Sequence, residues 1–245
     1  MRIKVNLCAE NEVSIPIEYN YNIYLNIRKT LFDSLQTAKP KLFTKYKKTF
    51  PSFTFSQLMI PERKVETGFI KIYGNFLSFS VSSTDDLFME YLAKAINQEK
   101  KFRIFDSTFD LKKIDVIEEP GFTPGMGFRM LSPLLLITVK NEKPYFVRPG
   151  DPNLSDIFAD QLVKKYNTTF NAEFQPSQIK LTLNQHYLER KKMPTRLITM
   201  RNINYKAIFC PFRLEGEIEL IRFAYRAGIG EKTKYGFGMI EHAGN

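Results

Sequence analysis

The stretch Ala227 to Glu241, AGIGEKTKYGFGMIE, holds Gly228, Gly230, Gly236 and Gly238, four of the chain's twelve glycines, around Lys232 and Lys234. Glycine reaches positive φ and admits close approach to its backbone, and two lysines beside such a turn suit an anion, phosphate above all. The common nucleotide motifs do not fit. Glu231 sits between Gly230 and Lys232 where a P-loop needs Gly-Lys-Ser/Thr, and Thr233 stands where the dinucleotide fingerprint needs a third glycine. Both motifs also precede a helix, whereas this loop follows one. Two readings remain: a loop laid against phosphate, or a helix C-cap at Gly228 with a tight connection into a strand from Gly238. A second cationic group, Arg190, Lys191, Lys192, Arg196 and Arg201, gathers on a turn and the strand after it. Arginine suits bidentate phosphate contact, and an ordinary charged hairpin tip is the plainer alternative.

The whole chain leans the same way. Its 245 residues carry 36 Lys and Arg against 26 Asp and Glu, a net charge of +10, which favours a polyanionic partner and nucleic acid first. Solubilising charge is the alternative, since net charge says nothing about placement. With 43% hydrophobic residues the chain is globular and long enough for one large domain or two ordinary ones. Cys8 and Cys210 lie in apolar alternating stretches and read as buried thiols; no zinc-type spacing exists, and neither a metal nor a cofactor is expected. No apolar run is long enough for a signal segment or a membrane span, so a cytoplasmic protein without a membrane partner is expected.

The elements that must position these residues follow from periodicity. Arg2 to Cys8 alternates as a half-buried strand, and Ile23, Tyr24, Ile27, Leu31 and Leu35 return at helical steps across Tyr19 to Leu35. Pro40 opens a short segment to Lys48. Strands are expected from Phe53, over Gly68 to Tyr73 and over Phe76 to Val81, the last two joined at Gly74-Asn75 as a hairpin. Ser83 to Asp86 fits a capping box before a helix through Ile96, and Lys101 to Ile117 is extended. The stretch EEPGFTPGMG, Glu118 to Gly127, is the expected boundary between domains at 1–120 and 121–245.

Past that boundary, strands are expected over Phe128 to Val139, Pro144 to Val147, Ile179 to Tyr187, Arg196 to Met200 and Tyr205 to Phe212. One helix starts at an Asp151-Pro152 cap, and another runs from Glu217 to Ala227. His186 then falls in a late strand and His242 in a terminal tail. The second half repeats the first in outline, so the expected fold is α+β, two tandem ferredoxin-like domains of the β-α-β-β-α-β, RRM-like type.

Gly228 to Met239, GIGEKTKYGFGM, resembles the C-terminal glycine-rich loop of the RAMP superfamily, specifically the CRISPR-associated endoribonucleases that process repeat transcripts. IPIEYNYNIYLNIRKTLFDSLQ, Ile15 to Gln36, is similar to that family's first helix. The resemblance spans the whole element order. It implies a loop that lies against RNA backbone, with Gly228, Gly230, Gly236 and Gly238 permitting close approach and Lys232 and Lys234 near phosphate. It further implies that Arg190, Lys191, Lys192, Arg196 and Arg201 grip CRISPR repeat RNA in precursor guide transcripts. Other CRISPR-associated proteins and a second copy of the chain are further candidate partners.

The resemblance also implies metal-independent cleavage: the adjacent 2′-OH attacks phosphorus and leaves a cyclic phosphate, helped by a base, an acid and a cation. Many relatives place a histidine just after the first helix. Here the only histidines are His186 and His242, and gapless continuation from Pro40 puts Lys47 at that place, within KPKLFTKYKK. Lys47, Tyr46 and Tyr24 are therefore the candidate catalytic residues. A lysine titrates near ~10.4 and a phenol near ~10 when unperturbed, so either needs help to act as a base. The alternatives are an RNA-binding relative that does not cut and a scaffold subunit that coats guide RNA.

Overall fold

The structure, a computed structural model, describes residues 1–74, 76–191 and 194–244. The chain forms two compact units, Met1–Glu119 and Pro120–Asn245.

In the first unit, β1 (Arg2–Cys8) runs into β2 (Val13–Pro16), α1 (Tyr19–Ala38) and α2 (Pro40–Lys48). There follow β3 (Phe53–Phe55), β4 (Arg63–Glu66), β5 (Phe69–Ile72), β6 (Phe76–Ser83), α3 (Asp86–Glu99), β7 (Lys101–Ile104) and β8 (Ser107–Ile117). The main sheet has the order β3-β6-β1-β8-β7, which is ferredoxin-like with β7 added at one edge. Its register sets Ile3 opposite Val81, Val5 opposite Phe79 and Leu7 opposite Leu77, so one face is wholly apolar. The helices cover it, because Ile23, Ile27, Leu31 and Leu35 on α1 and Phe88, Leu92 and Ile96 on α3 are all buried.

The expected hairpin at Gly74-Asn75 does not form. Asn75 lies outside the described residues, and the strands flanking it belong to different sheets, since β5 pairs with β2 and β4 while β6 pairs with β1 and β3. The tight turn comes one strand earlier, at Thr67-Gly68, with Gly68 at φ +83. Helix α3 is capped by Asp85, whose carboxylate accepts from Phe88 N at 2.9 Å.

The second unit holds β9 (Gly125–Met130), β10 (Ile137–Lys140), β11 (Lys143–Phe146), α4 (Leu154–Phe170), β12 (Ile179–Leu183) and α5 (Gln185–Arg190). It continues with β13 (Thr195–Met200), β14 (Ile203–Ile208), β15 (Phe212–Gly216), α6 (Ile218–Ala227) and β16 (Ile240–His242). The sheet order β12-β15-β9-β16 matches the core of the first unit strand for strand. Two ribbons are inserted into this frame, β10 with β11 and β13 with β14. Each turns on two non-glycine residues at positive φ, Asn141 and Glu142 in one, Arg201 and Asn202 in the other, as strand twist requires of a tight hairpin.

Four local expectations are corrected here. The strand from Phe128 stops at Met130, because Pro133 cannot donate to a ladder. The cap of α4 is Asn153, not Asp151; the Asp151 carboxylate accepts from Arg148 N at 2.8 Å and from the Tyr145 hydroxyl at 3.2 Å. The strand from Ile179 ends at Leu183, and Asn184 accepts from Tyr187 N at 2.8 Å to start α5, which carries His186. His242 is no tail residue, since β16 pairs it with Phe128. Among the described residues, no helix is long and apolar enough to cross a membrane.

Candidate functional site

The glycine loop is anchored from beneath. Gly228 ends α6 at φ 75, and the chain then returns on itself, with Ile229 N donating to Gly238 O at 2.9 Å. Glu231 N donates to Leu135 O at 2.8 Å and Gly238 N to Pro133 O at 2.7 Å, so the irregular stretch after β9 forms the floor. A Cβ on Gly230 would stand 2.4 Å from Leu135 O, and one on Gly238 would stand 1.8 Å from Ile229 O. These two glycines admit the protein's own backbone. All four were expected to let RNA backbone approach; Gly228, Gly236 and Gly238 are buried, and what faces outward is the arc from Gly230 to Tyr235. Within it Lys232 takes the left-handed conformation at φ 55, Thr233 to Tyr235 makes a 3-10 turn, and Glu231 and Lys234 are exposed.

Tyr205 on β14 ties this arc to the ribbons. Its buried ring packs edge-on to Phe237 at 5.9 Å and to Phe146 of β11 at 5.8 Å, and Lys232 Nζ stands 5.4 Å from its centroid. The β13–β14 ribbon thus leaves the sheet beside the loop. It presents Arg196, over the Phe209 ring at 5.0 Å, and Arg201 at its tip. Arg190 closes α5 and Lys191 follows it, both exposed; Lys192 lies outside the described residues. From Arg190 through Leu214 the sequence contains no Asp or Glu. The structure therefore brings Lys232 beside Arg196 and Arg201 on neighbouring elements of one unit, the two arginines in a segment with no carboxylate of its own.

The lysine-rich α2 of the first unit sorts differently. Lys41, Lys45, Lys47 and Lys48 are exposed, as is Lys39 before them, and among the described residues none joins an ion pair with a carboxylate. Lys47 Nζ lies 6.0 Å from the Phe43 ring. Tyr46, by contrast, is 1% exposed and donates its hydroxyl to Asp85 Oδ2 at 3.0 Å. Burial and the neighbouring carboxylate push that phenol well above the usual tyrosine range, so it stays protonated. Tyr24 is also buried, its ring stacked on Phe53 at 6.4 Å. Both tyrosines were expected near the reacting phosphate and instead sit in the aromatic core, because α1 and α2 turn these positions inward. Tyr46→Phe should cost about 1 kcal/mol of stability through the lost bond to the α3 cap, while leaving RNA binding and cleavage as in the wild type; denaturant midpoints and an RNA assay read the two.

A family model described as CRISPR associated protein Cas6, C-terminal, matches residues 117–242, and one described as CRISPR-associated protein Cas6, N-terminal, matches residues 16–115. The chain belongs to the Cas6 family. The CRISPR-associated endoribonuclease Cas6 of Pyrococcus furiosus is 28% identical to it over 251 residues, covering 100% of this chain and 91% of that protein. The CRISPR-associated endoribonuclease Cas6 1 of Methanocaldococcus jannaschii is 27% identical, covering 98% of this chain and 92% of that one. A solved structure described as a Cas6-related gene from Pyrococcus furiosus has the same fold, with a TM-score of 0.84 at 23% identity, over 99% of this chain and 98% of that one.

This Cas6 chain also places cations on the ribbons and beneath the loop that sequence reasoning did not single out. On the β10–β11 ribbon and just beyond it, Lys140 and Arg148 stand 5.2 and 6.0 Å from the Tyr145 ring. Lys206 projects from β14 opposite Leu197, and both are exposed. The alternation of these strands was readable; that they fold out as ribbons beside the glycine loop was not. The least expected residue is Lys165 on α4. Its side chain is half-buried, and its ammonium donates to Ala227 O, a terminal carbonyl of α6, at 3.1 Å and to Thr233 Oγ1 at 3.2 Å. Burial lowers its pKa to about 8, against a smaller opposing pull from Glu231.

Because the folded value lies below the ordinary 10.5, the unfolded chain binds this proton more tightly. Stability should therefore rise as pH climbs from about 8 to about 10.5, by on the order of 2 kcal/mol after allowing for partial solvent access. Lys165→Met should flatten that part of the curve relative to wild type in denaturant titrations across the window.

Proposed function

We propose that this chain binds CRISPR repeat RNA and cuts precursor transcripts as a metal-independent endoribonuclease. The observation that carries the reading is the carboxylate-free segment from Arg190 to Leu214 folded as a cationic ribbon against the glycine loop, with Lys232 on Tyr205. Backbone phosphates would lie along Arg196, Arg201, Lys232 and Lys234, and exposed ring faces would be open to unstacked bases. In the cut, a ribose 2′-hydroxyl gives up its proton to solvent as its oxygen forms a bond to the adjacent phosphorus, the bond from phosphorus to the 5′-oxygen breaks, and that leaving oxygen takes up a proton. Lys47, an exposed ammonium with no carboxylate ion pair among the described residues, suits the charge that builds on phosphorus and can supply that proton.

The test is purified protein with repeat RNA in EDTA. The expected result is a single defined cut whose upstream fragment ends in a 2′,3′-cyclic phosphate. Binding without a cut favours the second reading, a repeat-RNA binder, which rests on one specific observation: no histidine precedes His186 in this sequence. Affinity that does not fall with added salt would overturn both, since each depends on phosphate contacts that release counterions.

A further inference from the structure

Lys165 is a charge held where folding disfavours it. Its Nζ meets two neutral acceptors, Ala227 O and Thr233 Oγ1, and the Phe223 ring at 6.0 Å, with Glu231 as the carboxylate that attracts it from further off. Among the described residues it joins no ion pair. An apolar residue here would avoid the desolvation penalty, and departures of this kind from the stable choice concentrate where function needs them.

What the ammonium joins is informative. Ala227 is the last residue of α6, and Thr233 opens the 3-10 turn between Lys232 and Gly236. Other bonds act along the loop: Ile229 and Gly238 bond to each other, Glu231 and Gly238 bond to the floor at Leu135 and Pro133, and inside the arc Tyr235 N donates to Lys232 O at 2.8 Å and Gly236 N to Thr233 O at 3.0 Å. From Glu231 to Tyr235, Thr233 is the buried residue, 7% exposed, and its hydroxyl accepts from Lys165 beneath it. Lys232 and Lys234 flank it on either side, so their placement follows from where Thr233 sits.

We propose that Lys165 is a positioning residue for RNA: by bonding Ala227 and Thr233 together it sets the shape of the arc that carries Lys232 and Lys234 to the phosphates. The inference rests on the RNA reading above and does not place Lys165 in contact with RNA. It acts through Thr233, and that coupling is measurable.

The experiment is repeat-RNA binding by fluorescence anisotropy over a series of salt concentrations, for wild type, Lys165→Met, Thr233→Val and the double variant. Each single change is expected to weaken binding ~10-fold, the scale of one lost charged hydrogen bond, and the double change to weaken it no further. The slope of log K on log salt is expected to stay at the wild-type value, because no phosphate contact is removed. Wild-type affinity in Lys165→Met overturns the inference, as do losses that multiply to ~100-fold in the double variant. A slope shallower by ~0.7 overturns it in another way, by making Lys165 a direct phosphate contact. If Lys165→Met does not fold, Thr233→Val alone decides, and wild-type binding by that variant overturns the proposal. Failure of the wild type itself to bind RNA overturns the RNA reading and this inference with it, an outcome distinct from all the others.

Discussion

Gly238→Ala is expected to abolish folding of the second unit, whereas Gly68→Ala costs only about 1 kcal/mol. The two glycines have nearly the same backbone, φ +69 and φ +83, so the penalty of a left-handed alanine is common to both. They differ in space. A Cβ on Gly68 meets nothing within 4 Å, while one on Gly238 lies 1.8 Å from Ile229 O and 2.8 Å from its carbon. Relief would require breaking the bonds from Ile229 N to Gly238 O and from Gly238 N to Pro133 O, which join α6 and β16 to the floor of the loop. The loss should exceed ~4 kcal/mol, near the whole stability of a small domain. Denaturant unfolding of the two variants side by side measures the contrast. A folded Gly238→Ala protein with a midpoint near that of Gly68→Ala would show that the loop is not built as described.

Lys47→Ala is expected to slow cleavage of repeat RNA ~100-fold or more while changing affinity less than ~3-fold. Removing one exposed lysine from a helix that also carries Lys41, Lys45 and Lys48 takes away a small part of the phosphate attraction, so binding should barely move. The chemical step is different, because a cation placed at the reacting phosphate acts only as charge builds there. Lys45→Ala, on the same helix with its Nζ 5.7 Å from the Tyr46 ring, is the matched control and should cut at close to the wild-type rate. Single-turnover cleavage with saturating protein separates the two effects. Undiminished cutting by Lys47→Ala would remove the site assignment and leave RNA cutting in place.

The fold was largely legible. Apolar spacing marked the helices that cover each sheet, and repetition between the halves pointed to two ferredoxin-like units, because periodicity reports which face is buried. Local chemistry was read less well where two signals competed. Gly74-Asn75 and Thr67-Gly68 are both plausible tight turns, and the choice between them is made by which strands find partners, a long-range fact. Helix α5 was missed although Asn184 offers a cap, since the alternation of the strand before it seemed to continue.

The candidate site divided along the same line. Cations at the surface, Arg196, Arg201 and Lys47 among them, could be picked from composition and spacing alone. The inward turn of Tyr24 and Tyr46 could not, because a phenol in a helix gives no sign of which way its hydroxyl points until the neighbouring elements are in place. The glycines were the instructive case. Their clustering did signal unusual closeness of the backbone, but at Gly230 and Gly238 the close neighbour is the chain's own carbonyls at Leu135 and Ile229. Lys165 gave no signal at all: one lysine in an amphipathic helix is identical in sequence to a solvated one.

The β13–β14 ribbon hydrogen-bonds as a ladder only to itself among the described residues, and meets the remainder of its unit through the bridge of Leu134 with Ile208 and through the buried ring of Tyr205 against Phe146 and Phe237. Its exposed positions, Arg196, Leu197, Arg201 and Lys206 among them, can therefore change without disturbing the register of any core strand. If the ribbon holds RNA as proposed, exchanging those exposed side chains between homologues is expected to move target preference while leaving stability close to the wild type.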